Sequence, residues 1–311
     1  MKTLTARLAL IALVFPFSTI TADQPAPIVA PKKSVVITAP LALGEFFDKL
    51  TILMIKRERI SDPAKLKNVN TEFELLNALY ENEIPHSPTL SLLIDKLMEV
   101  NSALWDLEDA TREKERVKTF DMEFRQMAQR ILENNDTRFT IKRAINEYLN
   151  SPLVEEKSYK KNLARSLNMG AEAETITVSH HSIPLITIPI SLADLLDRIS
   201  ILEIKLNEIK NPEKLAHVHN EYETLMALYK TALTPTEELN KLYKQLLDAN
   251  KKMWDIQDGI RPKVLAGELD DQFVEYARGV YYSNDARCRV KREINMLFDS
   301  ALVDEKAYAS Y

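Results

Sequence analysis

Residues 192–205 read LADLLDRISILEIK, and residues 43–56 read LGEFFDKLTILMIK. Apolar side chains recur through both at the i, i+3, i+4, i+7 spacing of one helix face, which from residue 192 onward runs Leu192, Leu195, Leu196, Ile199, Leu202, Leu206 and Ile209. The two stretches lie 149 positions apart, and at that offset residues 40–160 align with residues 189–309 without a gap. About 43 of the 121 pairs are identical, roughly five times what chance gives. The chain is therefore one unit used twice.

Each copy begins with a short β-like run, VVITAP at 35–40 and LITIPI at 185–190, and the two runs are expected to pair with one another. Four helices then follow in each copy. The first covers 43–60 and 192–209, with Ser191 and Asp194 spaced as a capping box. The second starts at Asp62-Pro63 and Asn211-Pro212, an N-cap side chain followed by Pro where its missing N–H costs nothing. The third starts at Ser87-Pro88 and Thr234-Pro235. Its heptad seam runs Leu90, Leu93, Leu97, Val100, Leu104, Leu107 in one copy and Leu239, Leu242, Leu246, Ala249, Met253, Ile256, Ile260 in the other. Gly259 and Pro262 should kink or end that helix in the second copy only. The fourth begins near Asp121 and Asp270 and ends by Ser151-Pro152 and Ser300. The expected fold is all-α, a tandem duplication of a four-helix unit with a short β-strand before each: unit 1 at 35–160, a linker at 161–183, and unit 2 at 184–311.

Length and composition agree with this reading. At about 150 residues per domain, 311 residues make about two domains, and only 5 Gly in the whole chain suits long regular elements. A net charge of −5 provides no footprint for nucleic acid, whose binding rests on clustered Lys and Arg. A single cysteine, Cys288, excludes an intrachain disulfide framework and a multi-cysteine zinc site. Residues 1–22 carry Lys2 and Arg7 ahead of an apolar run from Leu8 to Phe17 and small residues up to Ala22, the pattern of a secretory signal peptide cut near Ala22. That run, which contains Pro16, is shorter than the ~20 residues a membrane span needs. Cleavage leaves a soluble chain, periplasmic or secreted, and takes the net charge from −5 to −7 because residues 1–22 hold two bases and no acid. The Pro/Ala-rich stretch 23–34 reads as a flexible linker.

The informative polar residues are those shared by the two copies. On the third helix Asn101, Trp105, Asp109 and Arg112 match Asn250, Trp254, Asp258 and Arg261 on a flank beside the leucine seam, with Asp106 and Asp255 next to it. On the fourth, the apolar stripe Phe273, Ala277, Val280 is interrupted by Asn284, Arg287 and Lys291 before resuming at Ile294 and Phe298. Copy one repeats this with Phe124, Ala128, Ile131, Asn135, Arg138, Lys142, Ile145 and Leu149. A cation on a core-facing stripe must be paired, and Asp48/Asp197, Asp106/Asp255 and Asp109/Asp258 are the available partners. Two readings follow. One is a semi-buried ion-pair and amide network that fixes helix register. The other is a cleft, one per unit and richer in bases than acids, in which Arg138/Arg287 and Lys142/Lys291 grip a phosphate or carboxylate while Asp and Asn orient a polyol. The candidate ligand-binding set is Trp105, Asp109, Arg112, Arg138 and Lys142 with Trp254, Asp258, Arg261, Arg287 and Lys291. A closing segment, LVEEKSY at 153–159 and LVDEKAY at 302–308, is expected to pack back on its own unit.

Other signals are weak. His217 and His219 are two apart on a helix and match Asn68 and Asn70, His180-His181 lies in the linker, and Cys288 matches Phe139. There is no serine elbow, P-loop, dinucleotide fingerprint or HExxH, so no metal, cofactor or catalytic residue is assigned.

FFDKLTILMIK (46–56) and LLDRISILEIK (195–205), followed by the N-x-x-x-W-D-x-x-D and N-D-x-R-x-x-x-K-R motifs and the closing LVEEKSY/LVDEKAY, resemble a bacterial family of uncharacterised small helical domains, each about one repeat long. The resemblance implies that a single unit stands as a domain, and that this chain is a fused pseudo-dimer, monomeric or itself dimerising. It supplies no activity. The first functional expectation is a non-catalytic exported protein of the bacterial envelope, binding an unknown protein partner or an anionic or glycan-type ligand. The second is a small helical enzyme, mutase-like or acting on a sugar phosphate through the same clusters. Its likeness to chorismate-mutase-type enzymes is architectural only, with no motif carried over.

Overall fold

The computed structural model of the chain describes residues 37–153, 155–156, 183, 185–300, 302 and 305. The expected leader at 1–22, the linker at 23–34, His180-His181 and the tyrosines of the closing segments, Tyr159 and Tyr308, lie outside the described residues. The element order is β1 (Ile37–Pro40), α1 (Leu43–Arg59), α2 (Pro63–Glu83), α3 (Pro88–Arg116) and α4 (Met122–Tyr148). The series then repeats as β2 (Thr187–Ile190), α5 (Leu192–Glu208), α6 (Pro212–Ala232), α7 (Glu237–Ala266) and α8 (Asp271–Leu297). The fold is all-α, two four-helix units each preceded by one short strand. No described helix is long and apolar enough to cross a membrane.

Local chemistry sets the helix starts. The Asp62 carboxylate accepts the Ala64 and Lys65 amides at 2.8 and 3.2 Å, and Asn211 accepts the Lys214 amide at 2.9 Å. Pro63 and Pro212 follow at the first helical position. Asp121 and Asp270 cap α4 and α8 through the Phe124 and Phe273 amides. α7 departs from expectation at both ends. Its N-cap is Thr236, the residue equivalent to Ser87, so Thr234-Pro235 lies before the helix. It also runs through Gly259 and Pro262 to Ala266. Gly259 is required by packing: a Cβ there would stand 2.5 Å from the Tyr276 ring. The chain leaves α7 at Gly267 with φ +71°, and the equivalent Lys118 after α3 is also left-handed at +55°.

Within each unit the first helix is central, packed on the other three. Phe46, Phe47, Leu53, Leu90, Leu97 and Ile145 fill unit 1, and Leu195, Leu196, Ile199, Leu239, Leu246 and Ile294 fill unit 2. The same apolar cluster passes from one unit to the other through Ile37, Ala39, Ile188 and Ile190 of the strands. A second cluster sets Phe124, Ala128 and Leu132 of α4 against Phe273, Val274, Ala277 and Tyr281 of α8.

The two units are related by a pseudo-two-fold axis, which the strand register locates. β1 and β2 pair antiparallel, Ile37 with Ile190, Thr38 with Pro189, Ala39 with Ile188 and Pro40 with Thr187. Ala39 and Ile188 are equivalents in the two copies and face each other, so the axis passes between them. The Leu41 amide, bonded to the Ile186 carbonyl at 3.1 Å, completes the symmetric set. Such a contact is isologous: what unit 1 gives to unit 2, unit 2 returns.

Candidate functional site

The interrupted stripe of the fourth helix is built into the same buried triad in each unit. Asp48 on α1, 4% exposed, accepts Nε of Arg138 on α4 at 2.7 Å and pairs with its Nη2, and accepts the Asn101 side-chain amide of α3 at 3.1 Å. Asn101 also donates to the Thr51 hydroxyl at 2.9 Å. In unit 2 Asp197, also 4% exposed, holds Arg287 Nε at 2.7 Å and Asn250 at 3.0 Å, while Asn250 donates to Ser200 at 2.8 Å. Burial alone would raise both carboxyls. Arg138 and Lys142 around Asp48, and Arg287 and Lys291 around Asp197, instead bring them below the usual carboxylate range.

The lysines one turn further on take different acids in the two units. Lys142 pairs with Glu45 at the start of α1 and with Glu155 at 2.9 Å. Lys291 pairs with Asp194, the equivalent of Glu45, at 2.7 Å. Burial and the neighbouring Glu155 push the Glu45 carboxyl up to about 7 against the opposing pull of Lys142. Glu155 itself is held well below the carboxylate range because Lys142 and Lys205 outweigh its burial.

Arg112 and Arg261 do not stay within their own units. Arg112 on α3 grips Asp285 on α8 through two bonds of 2.9 and 3.3 Å, and Arg261 on α7 grips Asp136 on α4 through two of 2.8 and 2.9 Å. The exchange is reciprocal, as the pseudo-two-fold demands. Among the described residues of the closing segments, Glu155 pairs with Lys142 of its own unit, as expected, whereas Glu156 and Glu305 reach across. Glu156 reaches His217 of α6 at 3.0 Å and Glu305 receives the Asn68 side-chain amide of α2 at 2.8 Å. His217 and Asn68 are equivalent positions, so a residue pair with no metal-binding geometry serves as the seat of the opposite tail. Among the described residues no group of His, Cys, Asp or Glu is placed to hold a metal ion.

Beside these contacts lies one open central cavity of about 720 Å³, lined by both units. The expectation of two separate clefts is corrected by it. Trp105 and Trp254, Asn101 and Asn250, Asp48 and Asp197, Arg138 and Arg287, and Arg112 and Arg261 line it from opposite sides, as do Asn135 and Asn284. Ile188, which sits beside the pseudo-axis, forms part of the wall. Of the remaining candidates, Asp258 lines this cavity, whereas Lys142 lines an adjoining space of about 330 Å³ that shares Asp48, Arg138, Asp197 and Arg287. Asp109 is exposed on α3 and Lys291 lies behind the wall, bound to Asp194. Asp136/Asp285 and Glu45 are parts of the constellation that the choice of candidates missed. Asp136 and Asp285 stand next to Asn135 and Asn284 in the shared N-D-x-R motif, which was the available signal.

The cavity is not basic. Eight Lys and Arg side chains face nine Asp and Glu in its wall, so the expected surplus of cations is absent. Its five arginines are already paired, four with Asp48, Asp136, Asp197 and Asp285 and Arg198 with Glu221. The register network and the cleft, posed as alternatives above, are one structure.

Each half of the chain matches the model of a family of unknown function, DUF6165, over residues 38–169 and 186–311. No curated protein and no solved structure matches the chain.

Proposed function

The chain belongs to the DUF6165 family in both of its halves, and from that premise we propose that it is a non-catalytic binding protein whose central cavity takes a small, uncharged, polyhydroxylated ligand of the saccharide class. The observation that carries this is the balance of the cavity wall. A phosphate or carboxylate site needs a surplus of unengaged cations, and here every triad arginine is matched by an aspartate. What remains is a set of planar hydrogen-bonding groups, Asp, Asn and paired Arg, beside two indole rings. Indoles supply apolar area to the C–H faces of a sugar, and the planar polar groups serve vicinal hydroxyls. The volume falls within the range of about 300–1,000 Å³ of small-molecule sites.

Location follows from the leader: Lys2, Arg7 and the apolar run to Phe17 support export and work in the bacterial envelope, where soluble saccharides are available ligands. A second reading, a helical enzyme acting in the same cavity, has one specific support. Glu45 is held near neutrality beside Glu155 and Lys142, as a general acid or base is.

A thermal-shift screen of the full chain against neutral saccharides, sugar phosphates and dicarboxylates tests the reading. Neutral saccharides should raise the Tm at millimolar concentration and be recovered unchanged. A shift produced only by the anionic compounds would overturn it, and conversion of the saccharide would favour the enzyme.

A further inference from the structure

Ile188, beside the axis, is part of the cavity wall, and equivalent residues of the two units line the rest of it. Trp105 and Asn135 on one side are answered by Trp254 and Asn284 on the other. A space beside the axis that carries the same recognition groups twice is one site with two equivalent halves. A ligand with one ring engages one half and leaves the other to water. A ligand with a ring at each end engages both and makes the second contact intramolecular, which adds affinity without a second loss of translational freedom.

Resting on the saccharide reading above, we infer that the ligand is two-ended: a neutral disaccharide-type molecule, bound once per chain across the pseudo-two-fold axis, with one ring held by each unit. The volume suits this, since about 720 Å³ is toward the upper end of the range for small-molecule pockets and generous for a single hexose. The side chains that differ between the halves, Glu108 against Gln257 and Leu104 against Met253, give the ligand a preferred direction.

Isothermal titration and native mass spectrometry of the full chain, with maltose, cellobiose and trehalose against glucose and glucose 6-phosphate, decide the point. At least one disaccharide should bind one per chain and about 100-fold or more tighter than glucose, and glucose should occupy two sites per chain. W105A and W254A should each cut disaccharide affinity about tenfold and reduce glucose to one per chain. N135A and N284A make the same comparison on a second pair, so a Trp variant that fails to fold leaves the test standing. Disaccharide binding no tighter than glucose, with the variants of only one unit affected, would overturn the two-ended ligand and leave the cavity reading in place. Failure of every neutral saccharide, or binding of glucose 6-phosphate alone, would overturn both.

Discussion

The units meet in two kinds of contact, and the difference between them is instructive. Around the cavity the contacts come in matched pairs, Arg112 with Asp285 and Arg261 with Asp136, Glu156 with His217 and Glu305 with Asn68. At one end of the α4/α8 crossing the contacts are made on one side only: Arg125 of α4 bonds the Leu269 carbonyl and Asp271, where unit 2 has Val274. Glu115, fully buried on α3, receives Arg278 at 2.9 and 3.2 Å and Tyr282 at 2.5 Å from α8, and Lys118 at 2.7 Å, while Arg278 lies over the Phe120 ring at 4.5 Å. The equivalent residues are Val264, Gln129 and Glu133, which cannot make it. A symmetric dimer makes every contact twice or not at all. A fused chain can carry one on a single side, so the matched contacts mark what both halves need and the single contact marks what fusion permits.

The largest expected effect breaks the matched part. R138M and R287M leave Asp48 and Asp197 buried without their main partner, and each should cost about 3 kcal/mol in denaturant unfolding, the two values agreeing within about 1 kcal/mol. The single contact comes next. Arg278, Lys118 and Tyr282 outweigh burial and hold the Glu115 carboxyl at about 2, below its ordinary 4.5. Between those values the unfolded chain binds the extra proton, so this stability is full above about pH 4.5 and is lost as pH falls through 2. E115Q should remove about 2–3 kcal/mol at neutral pH and flatten that acid limb, and E133Q, at the unit 1 position equivalent to Tyr282, should not.

A smaller effect separates the units at the start of their first helices. A Cβ on Gly44 would stand 2.3 Å from the Lys142 carbonyl oxygen, so G44A should cost about 2 kcal/mol. Unit 2 already has Ala193 there, its amide 3.3 Å from Asn295 against 2.6 Å for Gly44 and Asn146, and A193G should cost under about 1 kcal/mol. The smallest effect is in the reciprocal pairs: R112K and R261K lose the two-bond grip and should each cost about 1 kcal/mol, additively, because the two pairs share no residue.

Much of the fold was legible because duplication doubles the signal. The heptad seam of α3, the Asp62-Pro63 start of α2 and the β-runs before each unit appear in both copies, and the structure places all of them. The polar interruption at Asn135, Arg138 and Lys142 was legible as a place where charge enters a core, and Asp48 as its partner. What covers a helix face is not encoded in its periodicity. Arg112 reads as a member of a flank whether it pairs within its unit or across the axis, and the structure shows it pairing across. Glu115 has no repeat to mark it, since its equivalent is Val264. Pro262 does not end α7, which runs on to Ala266.

The chain's only two tryptophans, Trp105 and Trp254, both line the cavity, so intrinsic fluorescence reports its occupancy directly. The most direct test is a fluorescence titration of the W105F and W254F variants with the disaccharide that gives the largest thermal shift. One shared site predicts that the remaining indole in each variant changes emission along the same saturating curve, complete at one ligand per chain. Emission that changes in one variant only, or in neither while the ligand binds, would contradict a single cavity that uses both units.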